Sequence, residues 1–389
     1  MNDKLKINVR LDYLYCFLKN TDLTSAVWVL YLIYKGLPLW QVGILEAVFH
    51  ITGFLSELPT GALADLFGRK RVLIAGRICS LLSCLLMLLS NGFAGFAAAF
   101  VFSAWGYNLN SGSEEALVYD SMKLTGKEAE YLTVNGRLNV IIEASQGLST
   151  CIGGILSEYS YLACYLTAAA VTLLSMLPAF LFREPEYISE GNINTVRKGV
   201  LYHFKECGST LRGNRKVQSI LLYYPITFTF YTVMFFYSQK YFNDYGLNKI
   251  HISIIMLIGS LLSCTGAISC NLIQNRFRGA TKYLSSLFMG ISIMGLYLHH
   301  LNAAVVFFAV SGFMNAMLYP IQSDSLNRLI PSEQRATILS VSSMLFSCMM
   351  IVIFPVTGFT AEIIGLHKTF LLLGFFQLLL IPLLAKRVK

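Results

Sequence analysis

The stretch Ser113-Glu114-Glu115-Ala116-Leu117-Val118-Tyr119-Asp120-Ser121 places three carboxylates within seven residues, directly behind a long apolar run that begins near Phe93. Further charges interrupt apolar sequence at Asp12, Lys19, Asp22, Glu46, Glu57 and Glu143. A carboxyl in such surroundings can bind and release a proton or hold a cationic guest, because burial and neighbouring charges decide whether it is ionised. Asp22 leads the candidates. It lies near the middle of the run 11–34, inside the polar stretch Lys19-Asn20-Thr21-Asp22-Leu23-Thr24-Ser25. A plainer role competes, since Lys19 and Asp22 are three residues apart and can neutralise each other on a helix. Glu57 and Glu143 divide in the same way between proton sites and hydrogen-bonded braces. Glu114 and Glu115 are adjacent, about 100° apart around a helix of 3.6 residues per turn, so at most one of them faces a given direction squarely. Glu46 reads as solvated, and Arg77 and Arg137 as counter-charges or headgroup contacts.

A second chemistry is aromatic. Residues 221–242 read LLYYPITFTFYTVMFFYSQKYF, and Asn315, Tyr319 and Gln322 follow at 315–322. Rings such as Tyr231 and Tyr319, with amides such as Asn108, Asn315 and Gln322, can hold an amphiphilic or cationic organic molecule by apolar contact, cation-π attraction and a few hydrogen bonds. Aromatic side chains are also ordinary components of membrane helices. Other chemistries find little support. His299-His300 has no spaced acidic or cysteine partner, so no metal site is expected. No phosphate loop ending in GK[ST] occurs, and the nine cysteines include no C-x-x-C pair. No cofactor is expected.

Hydrophobic residues make up 55% of the 389 and charged residues 13%, with a mean hydropathy of +0.60, whereas a soluble domain carries about a quarter charged residues. Apolar runs long enough to cross a bilayer recur twelve times, at 11–34, 41–62, 72–89, 93–119, 135–157, 160–182, 217–239, 251–273, 281–299, 302–324, 336–359 and 365–385. The first follows Lys4, Lys6 and Arg10 and is read as a retained span. Placing the N-terminus inside assigns about 25 of the 30 Lys and Arg to cytoplasmic segments, the positive-inside pattern. The net charge of +9 therefore reports topology rather than nucleic acid binding, with both termini cytoplasmic. The polar segment 183–216 divides the chain into a bundle at 1–182 and a bundle at 217–389. Weak echoes relate the halves: GALADLFGRK (61–70) with CNLIQNRFRG (270–279), and YDS (119–121) with SDS (323–325). Without a large soluble segment an enzyme is not expected.

GALADLFGRKRV, between the second and third runs, resembles the signature of the major facilitator superfamily: Gly61, Asp65 four residues on, then Gly68 and the basic residues Arg69, Lys70 and Arg71. The resemblance implies an all-α integral membrane protein whose twelve helices form two pseudo-symmetric six-helix bundles rocking about a central cavity. It also implies a gate role for this loop, with Asp65 facing a helix N-terminus in the other half and Asp120 pairing with Arg69. Similarity to bacterial drug exporters implies proton-coupled efflux of amphiphilic organic compounds from the cell, with small molecules, protons and the bilayer as partners and a monomer as the unit. Two departures weaken it: Asn108 begins the stretch where such antiporters often carry arginine, and Ser149-Thr150-Cys151-Ile152-Gly153-Gly154 has the glycine pair of their fifth-span signature without its proline. The alternative is a proton-coupled importer of a sugar, peptide or organic acid.

Overall fold

A computed structural model describes residues 5–185, 215–329 and 335–388. The expected linker falls almost wholly outside the described residues, as do the side-chain positions of Pro59, Gly61 and Asp65. The helices are α1 (Lys6–Asn20), α2 (Trp28–Tyr34), α3 (Leu39–Phe67), α4 (Arg69–Leu89), α5 (Phe93–Asn110), α6 (Ser113–Leu124), α7 (Tyr131–Tyr159), α8 (Tyr161–Leu174) and α9 (Met176–Leu181). Then follow α10 (Arg215–Asp244), α11 (Lys249–Phe277), α12 (Thr281–Gly295), α13 (Leu301–Leu329), α14 (Arg335–Ile364) and α15 (Leu366–Val388). No strand occurs among the described residues; helices satisfy their backbone groups internally, one of the two ways a chain can cross hydrocarbon.

Eight helices among the described residues are long and apolar enough to cross a membrane. Four of the twelve apolar runs are not among those eight helices. The runs at 11–34 and 93–119 are each broken into two helices, α1–α2 and α5–α6. The helices over the ninth and twelfth runs, α12 and the apolar part of α15, are shorter, the latter covering Leu366–Ile381.

The chain forms two compact units. Described residues up to Tyr31 and from Val48 to 185 make unit 1, while Leu32–Ala47 and the described residues from 215 onward make unit 2. In unit 1, α4 packs along α5 and α8, and α1 along α6 and α7. In unit 2, α11 and α12 pack on α13, α12 on α15, and α10 on α14 and α15. The first turns of α3 belong to unit 2, where Glu362 Oε1 accepts from Leu39 N at 2.5 Å, satisfying a free N–H at the helix start. Tyr237 donates to Phe354 O at 3.1 Å beside them. Glu46 is buried at 8% exposure in the same region, which overturns the solvated reading.

Both breaks in unit 1 have local causes. At Ser111-Gly112 the glycine takes φ +74°, a left-handed conformation that side chains disfavour. At Thr21–Val27 hydroxyls and a carboxylate compete for the backbone: Asp22 Oδ1 accepts from Thr24 N at 2.9 Å and Thr24 Oγ1 at 2.7 Å. Helix α7 closes on that turn through Gly153, whose added Cβ would lie 1.8 Å from Leu23 O.

Candidate functional site

Asn8, Asp12, Tyr15, Cys16 and Lys19 recur every three or four residues, so they share one face of α1. Asn8, Asp12, Tyr15 and Cys16 are buried, and several of the stripe's groups reach α6 or the end of α5. Asn8 Nδ2 donates to Ser121 Oγ at 2.8 Å and to Arg183 O at 2.8 Å. The Tyr15 hydroxyl donates to Asn110 Oδ1. The Lys19 ammonium forms an ion pair with Glu114. Asp12 has 0% exposure, and neither of its oxygens has a hydrogen-bond partner.

Breaking the helix at Gly112 makes this arrangement possible. Glu114 and Glu115 fall in the first turn of α6, where free N–H groups and the helix dipole favour an anion. The pair divides, with Glu114 buried against Lys19 and Glu115 exposed. Lys19 is thus held by Glu114, while Asp22 is exposed and caps its own turn. Arg77 is buried at 7% exposure and donates from Nε to Ser175 Oγ at 2.8 Å, which overturns its reading as a headgroup contact. Asn108 Nδ2 donates to Gly53 O at 2.7 Å and Ser56 Oγ at 2.9 Å, tying α5 to α3. Glu57 is partly exposed on α3, and Glu143 is exposed on α7.

At the other end of α6, Asp120 is ion-paired with Arg69, whose guanidinium also donates to Ala116 O. Gly68 turns the chain at φ +87°. Directly after it the carboxylate of Glu184 accepts from Arg69 N at 2.7 Å and Lys70 N at 2.8 Å, capping α4. The structure therefore brings Gly68, Arg69, Lys70 and Asp120 together; Asp65 and Gly61 lie outside the described side chains.

The residues of unit 2 serve different ends. Tyr231 is half-buried against Ser263, and Tyr319 is 69% exposed. Gln322 is buried and donates to Ser342 Oγ at 3.1 Å. Asn315 Oδ1 is buried without a hydrogen-bond partner. The sequence marks Asp12 only as one of several charges inside apolar runs and Arg77 as a counter-charge or headgroup contact, and it gives no sign of Glu184. Asp12 was legible in the stripe at 8, 12, 15 and 19, whereas nothing in the pattern aims Glu184 at the start of α4.

Long apolar helices, interrupted beside buried charge, mark a multi-pass membrane protein. The family model of the Major Facilitator Superfamily matches residues 20–302, and the chain belongs to that family: it is a secondary transporter and not an enzyme. It is 23% identical over 372 residues to an uncharacterized MFS-type transporter, YxaM, of Bacillus subtilis (strain 168), covering 92% of this chain and 90% of that one. Solved structures share the fold at low identity. The nucleoside transporter NupG matches with TM-score 0.73 at 14% identity, over 100% of this chain and 99% of that one. A D-xylose-proton symporter matches with TM-score 0.76 at 13% identity, over 99% and 98%. A bacterial homolog of the human lysosomal transporter Spinster, inward-facing and unoccupied, matches with TM-score 0.75 at 13% identity, over 98% and 96%.

Proposed function

We propose that the protein is a proton-coupled exporter of amphiphilic organic compounds, working by alternating access with twelve spans in the cell membrane and both termini cytoplasmic. The reading rests on one contrast. Among the described residues two of the three buried carboxyls, Asp12 and Glu114, lie in unit 1 where α1 meets α6, the third being Glu46 near the start of α3 in unit 2, while α10 and α13 of unit 2 offer tyrosine, phenylalanine and amide groups with charges only near their ends. Carboxyls removed from water exchange protons, and an aromatic, uncharged surface suits an apolar or cationic guest. An inward pH gradient and membrane potential supply the energy, about 2.3 kcal/mol per charge for 100 mV. Gly61, Asp65, Gly68, Arg69, Lys70 and Asp120 are assigned to the gate. Asn108, Tyr231, Asn315, Tyr319 and Gln322 are assigned to the substrate path, and Asp22, Glu57, Glu114, Glu115 and Glu143 to proton or substrate contact.

The test uses proteoliposomes with an imposed pH difference and ethidium as a fluorescent organic cation. Antiport predicts ethidium movement against the direction of proton flow, abolished by a protonophore. Symport is the second reading, since one of the similar folds is named a proton symporter; accumulation in the direction of proton flow would replace export with import.

A further inference from the structure

The geometry assigns the proton-carrying role to Asp12, with Lys19 as the internal cation for which Asp12 and Glu114 compete. This rests on the proton-coupled reading above and names the group within unit 1. Asp12 has 0% exposure and no hydrogen-bond partner for either oxygen. A lone ionised carboxylate so placed is costly, so the group is at home as the neutral acid. It stands seven residues before Lys19, two turns along the same face of α1, and helical side chains lean toward the N-terminus. The Lys19 ammonium is held by Glu114 and is near enough for its charge to act on Asp12 as well.

The charged and titratable groups around Asp12 are few. From its own helix come Lys19, Tyr15 and Cys16. From α6 come Glu114 and Glu115, from α7 Tyr131, with Arg137 and Glu143 farther along α7 and exposed, and from α4, packed on Tyr15 through Leu73, the buried Arg77, whose charge acts on Tyr15 and Glu114 rather than on Asp12. Helices α8 and α9, which also pack on α1, bring no charged residue. With a proton on Asp12, the set Asp12, Lys19 and Glu114 is neutral and the α1–α6 clasp holds. When Asp12 gives its proton to water, two carboxylates share one ammonium and Lys19 is drawn from Glu114 toward Asp12. The clasp then loosens at the first turn of α6. Proton binding is thereby converted into a change at the break in the fourth apolar run.

The experiment is infrared difference spectroscopy of the reconstituted full-length protein between about pH 5 and about pH 9, with the ethidium assay run in parallel. Asp12→Asn keeps the shape of the neutral acid and breaks no hydrogen bond, so its unfolding temperature should match the parent protein. The C=O stretch of a buried protonated carboxyl should be lost in Asp12→Asn and kept in Asp22→Asn. Asp12→Glu should shift that band, which keeps the assignment open to refutation if Asp12→Asn folds poorly. Ethidium movement driven by the pH difference should be lost in Asp12→Asn, while exchange down an ethidium gradient persists. A band unchanged in both Asp12 variants overturns the assignment, as does undiminished pH-driven movement in Asp12→Asn. If the parent protein moves no ethidium on a pH gradient, the export reading fails by itself, and the infrared band still decides the role of Asp12.

Discussion

The first apolar run, in unit 1, and the seventh, in unit 2, are of similar length in sequence and fold differently. Run 11–34 is two helices with a turn at Thr21–Val27, while the seventh run lies inside the single 30-residue helix α10. The difference lies in what each buries. The face of α1 carries Asp12 and Lys19 into the bundle and ends in a Thr/Asp/Ser turn that meets its own backbone needs. The buried face of α10 carries Tyr223, Tyr224, Val233, Met234, Tyr237 and Tyr241; the hydroxyls of Tyr223, Tyr237 and Tyr241 donate to Lys282 O, Phe354 O and Leu296 O without disturbing the helix, while that of Tyr224 is buried without a hydrogen-bond partner. Charge in hydrocarbon demands partners and access; tyrosine needs only one acceptor. On the proposed reading, chemistry that changes protonation is concentrated in unit 1, and contact with an organic guest falls to unit 2.

The sharpest way to break this contrast is to remove one member of the ion pair in unit 1. Lys19→Met leaves Glu114 without its cation, and losing one partner of a buried pair costs about 3 kcal/mol, the low end of the usual range because Lys19 keeps some exposure. Thermal or denaturant unfolding in detergent should show this loss. The double variant Lys19→Met with Glu114→Gln should recover most of it, the signature of direct coupling. Equal losses from the single and double variants would mean that the pair does not hold α1 to α6.

Close approach is the next comparison. A Cβ on Gly153 would lie 1.8 Å from Leu23 O in unit 1, and one on Gly358 would lie 2.5 Å from Leu39 O in unit 2. Gly153→Ala should cost about 2 kcal/mol and Gly358→Ala about 1 kcal/mol, as expected when a packed contact must shift. The same unfolding assay ranks them. The reverse order would place the tighter constraint at the start of α3 rather than at the turn around Asp22.

The depth at which the sequence could be read differed between features. Family and membrane class were legible because hydropathy and a glycine-basic loop are local signals. The pairing of Arg69 with Asp120, given by resemblance alone, meets an ion pair in the structure. The breaks were not legible, because hydropathy averages over a window and a single φ > 0 at Gly112 leaves the average unchanged. Asp22 stood out by its position at mid-run, yet its carboxylate is engaged by Thr24 two residues on. Asp12 lay near the start of the run and drew less notice; its importance comes from what the fold withholds from it. Glu184 could not have been foreseen, since its partners at Arg69 and Lys70 are over a hundred residues away.

The Arg69–Asp120 pair offers a smaller effect. Asp120→Asn removes one charge from a pair whose side chains are 22% and 13% exposed, so its stability cost is about 1 kcal/mol or less. The Arg69 contact to Ala116 O and the Glu184 cap remain. The functional change should exceed the thermodynamic one: the rate of ethidium exchange should fall while the unfolding temperature barely moves. A matched fall in both would make the pair a brace instead of a gate.

The smallest effect is expected in unit 2 and tests the contrast from its other side. Tyr231→Phe removes a hydroxyl that lies with Ser263 Oγ beside Gly312 and leaves the ring, so stability should change by about 1 kcal/mol or less, no more than the net value of a neutral hydrogen bond. If unit 2 holds its guest by aromatic surface, ethidium affinity should stay close to that of the parent protein in Tyr231→Phe and weaken in Tyr231→Ala, with the pH dependence of transport unchanged in both. An altered pH dependence in Tyr231→Phe would carry proton chemistry into unit 2 and end the division of labour between the two units.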